Sequence, residues 1–180
     1  MKKQPEVTAQ TQKTLIDTYF EMTARGEKAT VGAITEAAGY NRCTFYRYFT
    51  DTEQLLSQVE TEICDAFRAA LTQNSVITAS PEIIESLAAV YRSYGKYLSV
   101  LLGQHGDSRF ARKMKEIIFS MASQMFAAAN ISGVDAELKI EFALSGVLAT
   151  VTKWYEMNQP IPEEQLGMLI RRMFQQGLLR

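Results

Sequence analysis

Apolar side chains recur along this chain at spacings of three and four and almost nowhere in strict alternation, so the pattern predicts helices and no convincing strand. Leu15, Ile16, Tyr19 and Phe20 form such a stripe in a first helix from about residue 8 to 24. Arg25-Gly26 closes it, because glycine accepts the left-handed cap. Thr30 stands where an N-cap belongs and opens a short helix over about 31–38, which Gly39 stops. A third short helix covers about 42–48. Thr50-Asp51-Thr52-Glu53 has the form of a capping box, in which the Thr50 hydroxyl serves the first turn and Glu53 reaches back. It opens a long helix to about residue 72.

Residues 74–80 are a polar break, the one candidate linker. Ser80-Pro81-Glu82 then supplies an N-cap, a proline at the first helical position and an acid at the positive helix end. That fifth helix is expected to reach Leu102 and close at Gly103 and Gly106, and a sixth runs from Asp107 to about Asn130. Val134 to Met157 form a seventh, and Pro160-Ile161-Pro162 turns the chain into an eighth that ends near Gln176-Gly177. The expected fold is all-α with about eight helices: a three-helix, helix-turn-helix head in residues 1–50 and a helical bundle in residues 51–180.

Composition narrows the class. Apolar residues make up 47% and charged residues 22% of 180, a globular balance that excludes a disordered or fibrous chain. No apolar run approaches the roughly 18 residues of a membrane span, and the opening MKKQPEVTAQTQK has no signal core. Cys43 and Cys64 are far from a CxxC spacing, so a disulfide scaffold is excluded and a reducing cytoplasm is the expected setting. The formal net charge of -1 advertises no polyanion partner, although residues 1–50 carry seven bases against five acids.

The segment TVGAITEAAGYNRCTFYRYF, residues 30–49, has what a helix-turn-helix requires. Val31 and Ile34 can face inward, Ala37 and Ala38 allow a close helix crossing, and Gly39 suits a turn at positive φ. Phe45 and Phe49 can be buried while Arg42, Thr44, Tyr46, Arg47 and Tyr48 offer polar groups outward. Paired short helices with a glycine turn also occur in bundles that never touch DNA, and aromatic-rich stretches are usually core. Four aromatics in five residues cannot all face one core, however, since successive helical residues point 100° apart.

Residues 30–56 resemble the N-terminal DNA-binding domain of the tetracycline-repressor (TetR) family. The likeness lies in Ala38-Gly39, Thr44, Phe45, Tyr46, Phe49 and the pair Leu55-Leu56. Gly146 through Trp154 and the proline-bounded last helix are similar to one branch of that family, that of regulators like the dihydroxyacetone-operon activator. The resemblance implies a homodimer whose two heads read a palindromic double-stranded DNA operator. It places Arg42, Cys43, Thr44 and Arg47 at base edges or nearby phosphates, and Thr30, Tyr46 and Tyr48 on phosphates. Two positions depart from many relatives: Thr52, beside Asp51, stands where they have a phosphate-clamping lysine, and Gly32 where some have a base-reading arginine. Lys2, Lys3 and Lys13 are candidates to compensate from the N-terminal arm.

The seventh helix is apolar nearly all round, which asks for burial against its own bundle and a second chain. The resemblance puts the dimer face on this helix and the last one, with Phe142, Gly146, Ala149, Trp154, Leu166, Ile170, Met173 and Phe174 as the candidate contacts. Tyr91, Tyr94, Tyr97, Phe119, Met121, Met125 and Phe126 are candidates to line a pocket for a small-molecule effector, ordinary core being the alternative for each. No HExxH, Walker or GxGxxG motif is present, no cofactor or metal is expected, and His105 belongs to a solvated loop. Cys43 reads more simply as a small packing residue than as a redox sensor. The expectation is a non-enzymatic, cytoplasmic, ligand-responsive repressor. The alternatives are a coactivator working through a protein partner, or a helical small-molecule binder with a vestigial head.

Overall fold

A computed structural model of the chain describes residues 5–72, 81–103, 108–128 and 133–176, and all regular structure among them is helical. The helices are α1 (Pro5–Ala24), α2 (Val31–Ala37), α3 (Arg42–Phe45), α4 (Thr52–Thr72), α5 (Pro81–Leu102), α6 (Ser108–Ala128), α7 (Val134–Glu156) and α8 (Glu163–Gln176). The break at 74–80, the Ser80 cap, the N-terminal lysines Lys2 and Lys3, and the loop with His105, Gly106 and Asp107 lie outside the described residues, as do Asn130 and Gly177. Within α4 the chain divides into two compact units, Met1–Glu62 and Ile63–Arg180.

The core of the first unit is built from Leu15 and Phe20 of α1, Ile34 of α2, Phe45 and Phe49 around α3, and Leu55 and Val59 of α4, all buried. Each such side chain contributes roughly 1.5–3 kcal/mol on leaving water. Thr30 caps α2 by accepting the Ala33 N–H at 3.2 Å, as its position predicts. At the other end, Gly39 N–H donates to the Glu36 carbonyl and Tyr40 N–H to that of Thr35. This pair of bonds requires the positive φ of 72° that Gly39 adopts.

Two local expectations are corrected. The third helix is α-helical only over Arg42–Phe45. Beyond it the Arg47 and Tyr48 amides bond three residues back, to Thr44 and Phe45, which tightens the chain into a turn. The capping box is shifted by one residue. Asp51, and not Thr50, accepts the backbone N–H three residues on, from Gln54 at 2.7 Å, and the Gln54 side chain accepts from the Thr50 amide at 3.1 Å. A carboxylate at the positive helix end gains from the dipole where a hydroxyl does not.

The second unit is a bundle with Phe67, Leu98, Leu101, Phe110, Met114, Ile140, Val151, Trp154, Tyr155 and Leu166 buried. The Cys64 thiol meets the Met114 sulfur at 3.7 Å. Lys115 of α6 pairs with Glu141 of α7, and Ser145 donates to the same carboxylate at 3.1 Å. These bonds hold the Glu141 carboxyl below the usual carboxylate range, with the Lys115 hydrogen bond the main cause.

Candidate nucleic-acid interface

The candidate reading segment begins with its own cap. Asn41 Oδ1 accepts the Thr44 amide at 2.8 Å and the Thr44 hydroxyl at 3.0 Å, so Thr44 spends its proton holding the start of α3. Phe45 and Phe49 then turn inward, 5.4 Å apart between ring centres, and their burial anchors the segment. With both phenylalanines inside, Arg42, Cys43, Tyr46 and Arg47 are left exposed, Tyr46 at 59% and edge-on to Phe45. Thr30 is also exposed, although its hydroxyl oxygen serves the α2 cap.

Tyr48 departs from the expectation. Its hydroxyl is buried and has no hydrogen-bond partner among the described residues, because the tightened turn rolls this ring toward Phe49, 6.5 Å away. It does not stand beside Tyr46 at the surface.

Charge on the head is selective. Lys13 is paired with Asp17, and Arg25 with Glu27, whose carboxyl this hydrogen bond holds below its usual range. Lys28, Arg42 and Arg47 are exposed and have no ion pair among the described residues. One residue central to this geometry was missed in the sequence, and another, Gly32, was noted there only as a departure from relatives. Asn41 has the signal of an N-cap three residues before Thr44. At Gly32 a Cβ would lie 2.7 Å from Arg42 Nη2, so the tip of the exposed Arg42 side chain lies near the α2 backbone.

In the second unit the described candidate pocket residues lie among other aromatic rings. Tyr91 stacks on Tyr155 at 6.5 Å and meets Phe67 edge-on at 6.1 Å, while Tyr97 is buried beside Tyr94. Tyr91 and Tyr94 are half-buried, as is Phe119, and the side chains of Met121, Met125 and Phe126 lie outside the described residues. Burial pushes the Tyr91 and Tyr155 phenols well above their usual range. A shallow cleft of about 470 Å3 lies between α6 and α7, lined by residues that include Ala111, Lys115, Leu148, Ala149 and Glu156.

The candidate dimer residues separate into two groups. Phe142 is 73% exposed, and Gly146 and Ala149 are exposed on the same helix, with Val134 and Leu138 a turn or two before them. Trp154 and Leu166 are buried in their own unit, and Trp154 donates its indole N–H to the Ile161 carbonyl at 2.8 Å. Ile170 and Met173 are half-buried, and the Phe174 side chain lies outside the described residues. Among the described residues no group of His, Cys, Asp or Glu could hold a metal, and no helix is long and apolar enough to cross a membrane.

Comparison with known proteins agrees with a helix-turn-helix head on a helical bundle. The family model described as bacterial regulatory proteins, tetR family, matches residues 21–59, and the one described as transcriptional regulator C-terminal region matches residues 78–176. The chain belongs to the TetR family of transcriptional regulators. Members of this class are DNA-binding regulators and not enzymes. The crystal structure of the TetR-like transcriptional regulator LfrR from Mycobacterium smegmatis has the same fold, with a TM-score of 0.55 at 19% identity over 97% of this chain and 99% of that one. No curated protein matches the chain.

Proposed function

We propose that the protein is a cytoplasmic, homodimeric repressor that binds a palindromic operator and leaves it when a small molecule binds. The observation that carries this is the division of the segment after Asn41: Phe45 and Phe49 are buried while Arg42, Tyr46 and Arg47 stand free. Arg42 at the start of α3 suits a base edge, and Arg47 and the Tyr46 phenol suit phosphates. Cys43, at the surface beside Arg42, adds van der Waals contact, and Thr44 and Thr30 hold the helix starts that present these groups. Tyr48 is left out of the phosphate contacts.

The head in residues 1–50 would do the reading, and the bundle in residues 51–180 would dimerise and respond to the effector. The apolar face of α7, with Val134, Leu138 and Phe142 exposed, supports a partner helix from a second copy. Two heads about 34 Å apart enter successive major grooves, and an effector that favours another spacing releases the DNA. The stretch from Gly146 to Trp154 and the turn at Pro160 to Pro162 support placing the chain in the dihydroxyacetone-activator-like branch of the family.

Binding to duplex DNA from upstream of the protein's own gene tests this directly. Wild type should bind a palindrome there. Arg47→Ala should weaken binding and lower the salt slope by about one, the signature of a lost phosphate contact. Tyr46→Phe should weaken it uniformly across sequences. A wild-type protein that binds no duplex but captures another protein would support the coactivator role instead.

A further inference from the structure

We propose that Lys28, in the turn before α2, is a phosphate contact: its ammonium holds the DNA backbone beside the groove that α3 reads. The inference rests on the DNA-binding role proposed above, in which Lys28 has no part, and puts the backbone grip before α2 and not at the start of α4.

The head has few cations to offer a polyanion. Lys13 is taken by Asp17, and Arg25 by Glu27, which it grips through Nε at 2.6 Å and Nη2 at 3.1 Å. Lys28 follows that pair directly, exposed and with no ion pair among the described residues. Since Arg25 offsets the acid next to Lys28 in the chain, residues 25–30 carry two bases against one acid, a net +1. The start of α4 has the opposite character. The Asp51 carboxylate caps it, Glu53 stands in its first turn, and residues 50–60 hold no base. A phosphate is repelled there and drawn to Lys28.

The backbone decides where this charge falls. The Lys28 carbonyl accepts the Thr30 amide at 2.9 Å, a three-residue turn that folds Lys28 back onto the α2 cap. Thr30 Oγ1 accepts the Ala33 amide, and its own proton has no acceptor among the described residues, so it too can meet a phosphate oxygen. Arg42, the first residue of α3, reaches Gly32 in the first turn of α2. Whichever way that side chain swings, the two backbones lie no farther apart than it can span, and both helix starts share one side of the head. In a helix-turn-helix the second helix enters the major groove while the first crosses the DNA backbone. A cation just before the first helix therefore meets phosphate and not base edges. Lysine suits this task, because a compact charge on a flexible stem needs no fixed geometry to neutralise a phosphate.

Full-length wild type, Lys28→Gln, Lys28→Arg and Arg68→Gln test the proposal, Arg68 being an exposed base of the second unit paired with Asp65. Each is titrated at several salt concentrations with the duplex that wild type enriches from a randomised library, and thermal melting checks that each folds. Lys28→Gln should bind about tenfold more weakly at about 0.1 M salt and lower the slope of log K against log salt by about 0.9. The loss should be uniform across sequences, so Lys28→Gln should enrich the same site as wild type. Lys28→Arg and Arg68→Gln should keep the wild-type slope.

A wild-type slope for Lys28→Gln would overturn the proposal. So would a changed base preference, which marks a base contact, or an equal fall for Arg68→Gln, which marks an effect of net charge alone. In each of these cases wild type still binds its duplex, and the DNA-binding role stands. A wild type that enriches no sequence overturns that role and this inference together.

Discussion

The Trp154 indole N–H donates to the Ile161 carbonyl at 2.8 Å, tying the last turn of α7 to the segment that leads into α8. The ring is buried and lies 4.9 Å from that of Tyr155, so one side chain fills core and closes the turn. Trp154→Phe keeps an aromatic ring but leaves that carbonyl without its donor. We expect a loss of about 1–3 kcal/mol in urea denaturation, from the unmet carbonyl and the smaller ring. A variant as stable as wild type would show that the indole bond contributes nothing net.

Burial sets an alkaline limit on the bundle. Desolvation holds the Tyr91 and Tyr155 phenols protonated, and Glu163 opposes their ionisation further. In the unfolded chain both titrate near the ordinary value of about 10. Because the folded values lie higher, the folded state keeps protons that the unfolded state gives up. The stabilisation is thus complete below about pH 10 and is lost as pH rises above it, by up to about 1.4 kcal/mol per pH unit for each phenol. Phenolate absorbance of the wild type against Tyr91→Phe and Tyr155→Phe should show these two phenols ionising only on unfolding. Ionisation of Tyr91 and Tyr155 in the native state near pH 10 would contradict this.

The exposed face of α7 predicts an assembly phenotype. Phe142 is 73% exposed, so Phe142→Glu removes nothing from the monomer core. Helix content and melting of the monomer should be unchanged, while light scattering should move from dimer to monomer mass. Affinity for a two-half-site operator should fall by at least tenfold, since half-sites bind cooperatively only through a linked pair. A dimer that survives this change would place the interface elsewhere.

Backbone strain at the α7–α8 turn gives a stabilising change. Asn158 and Gln159 adopt positive φ, 57° and 55°, in succession. Asparagine tolerates that conformation, whereas glutamine gains nothing from it. Gln159→Gly should stabilise the fold by about 0.5–1 kcal/mol, or roughly 1–4 °C in Tm. Gly39→Ala, at a φ of 72°, should destabilise by about 1–2 kcal/mol.

How much of this was legible in the sequence depends on how far each interaction reaches along the chain. Thr30, Gly39 and the inward Phe45 and Phe49 were readable because their partners lie within a few residues, where helical period and cap chemistry decide the outcome. Even there a one-residue shift escaped, since Thr50 and Asp51 are both good caps and only the finished helix chose between them. The side on which Tyr48 falls was not readable, because it depends on how the last turn tightens.

The amino-acid order alone determined the eight helices, their approximate limits and the character of the head, because these follow from spacing within a dozen residues. Tertiary structure decided which aromatic rings pack on one another, which face of α7 stayed open, and that the Arg42 side chain lies near Gly32. Those outcomes depend on contacts between residues distant in the chain. A periodic pattern states that a side is apolar; only packing decides what covers it.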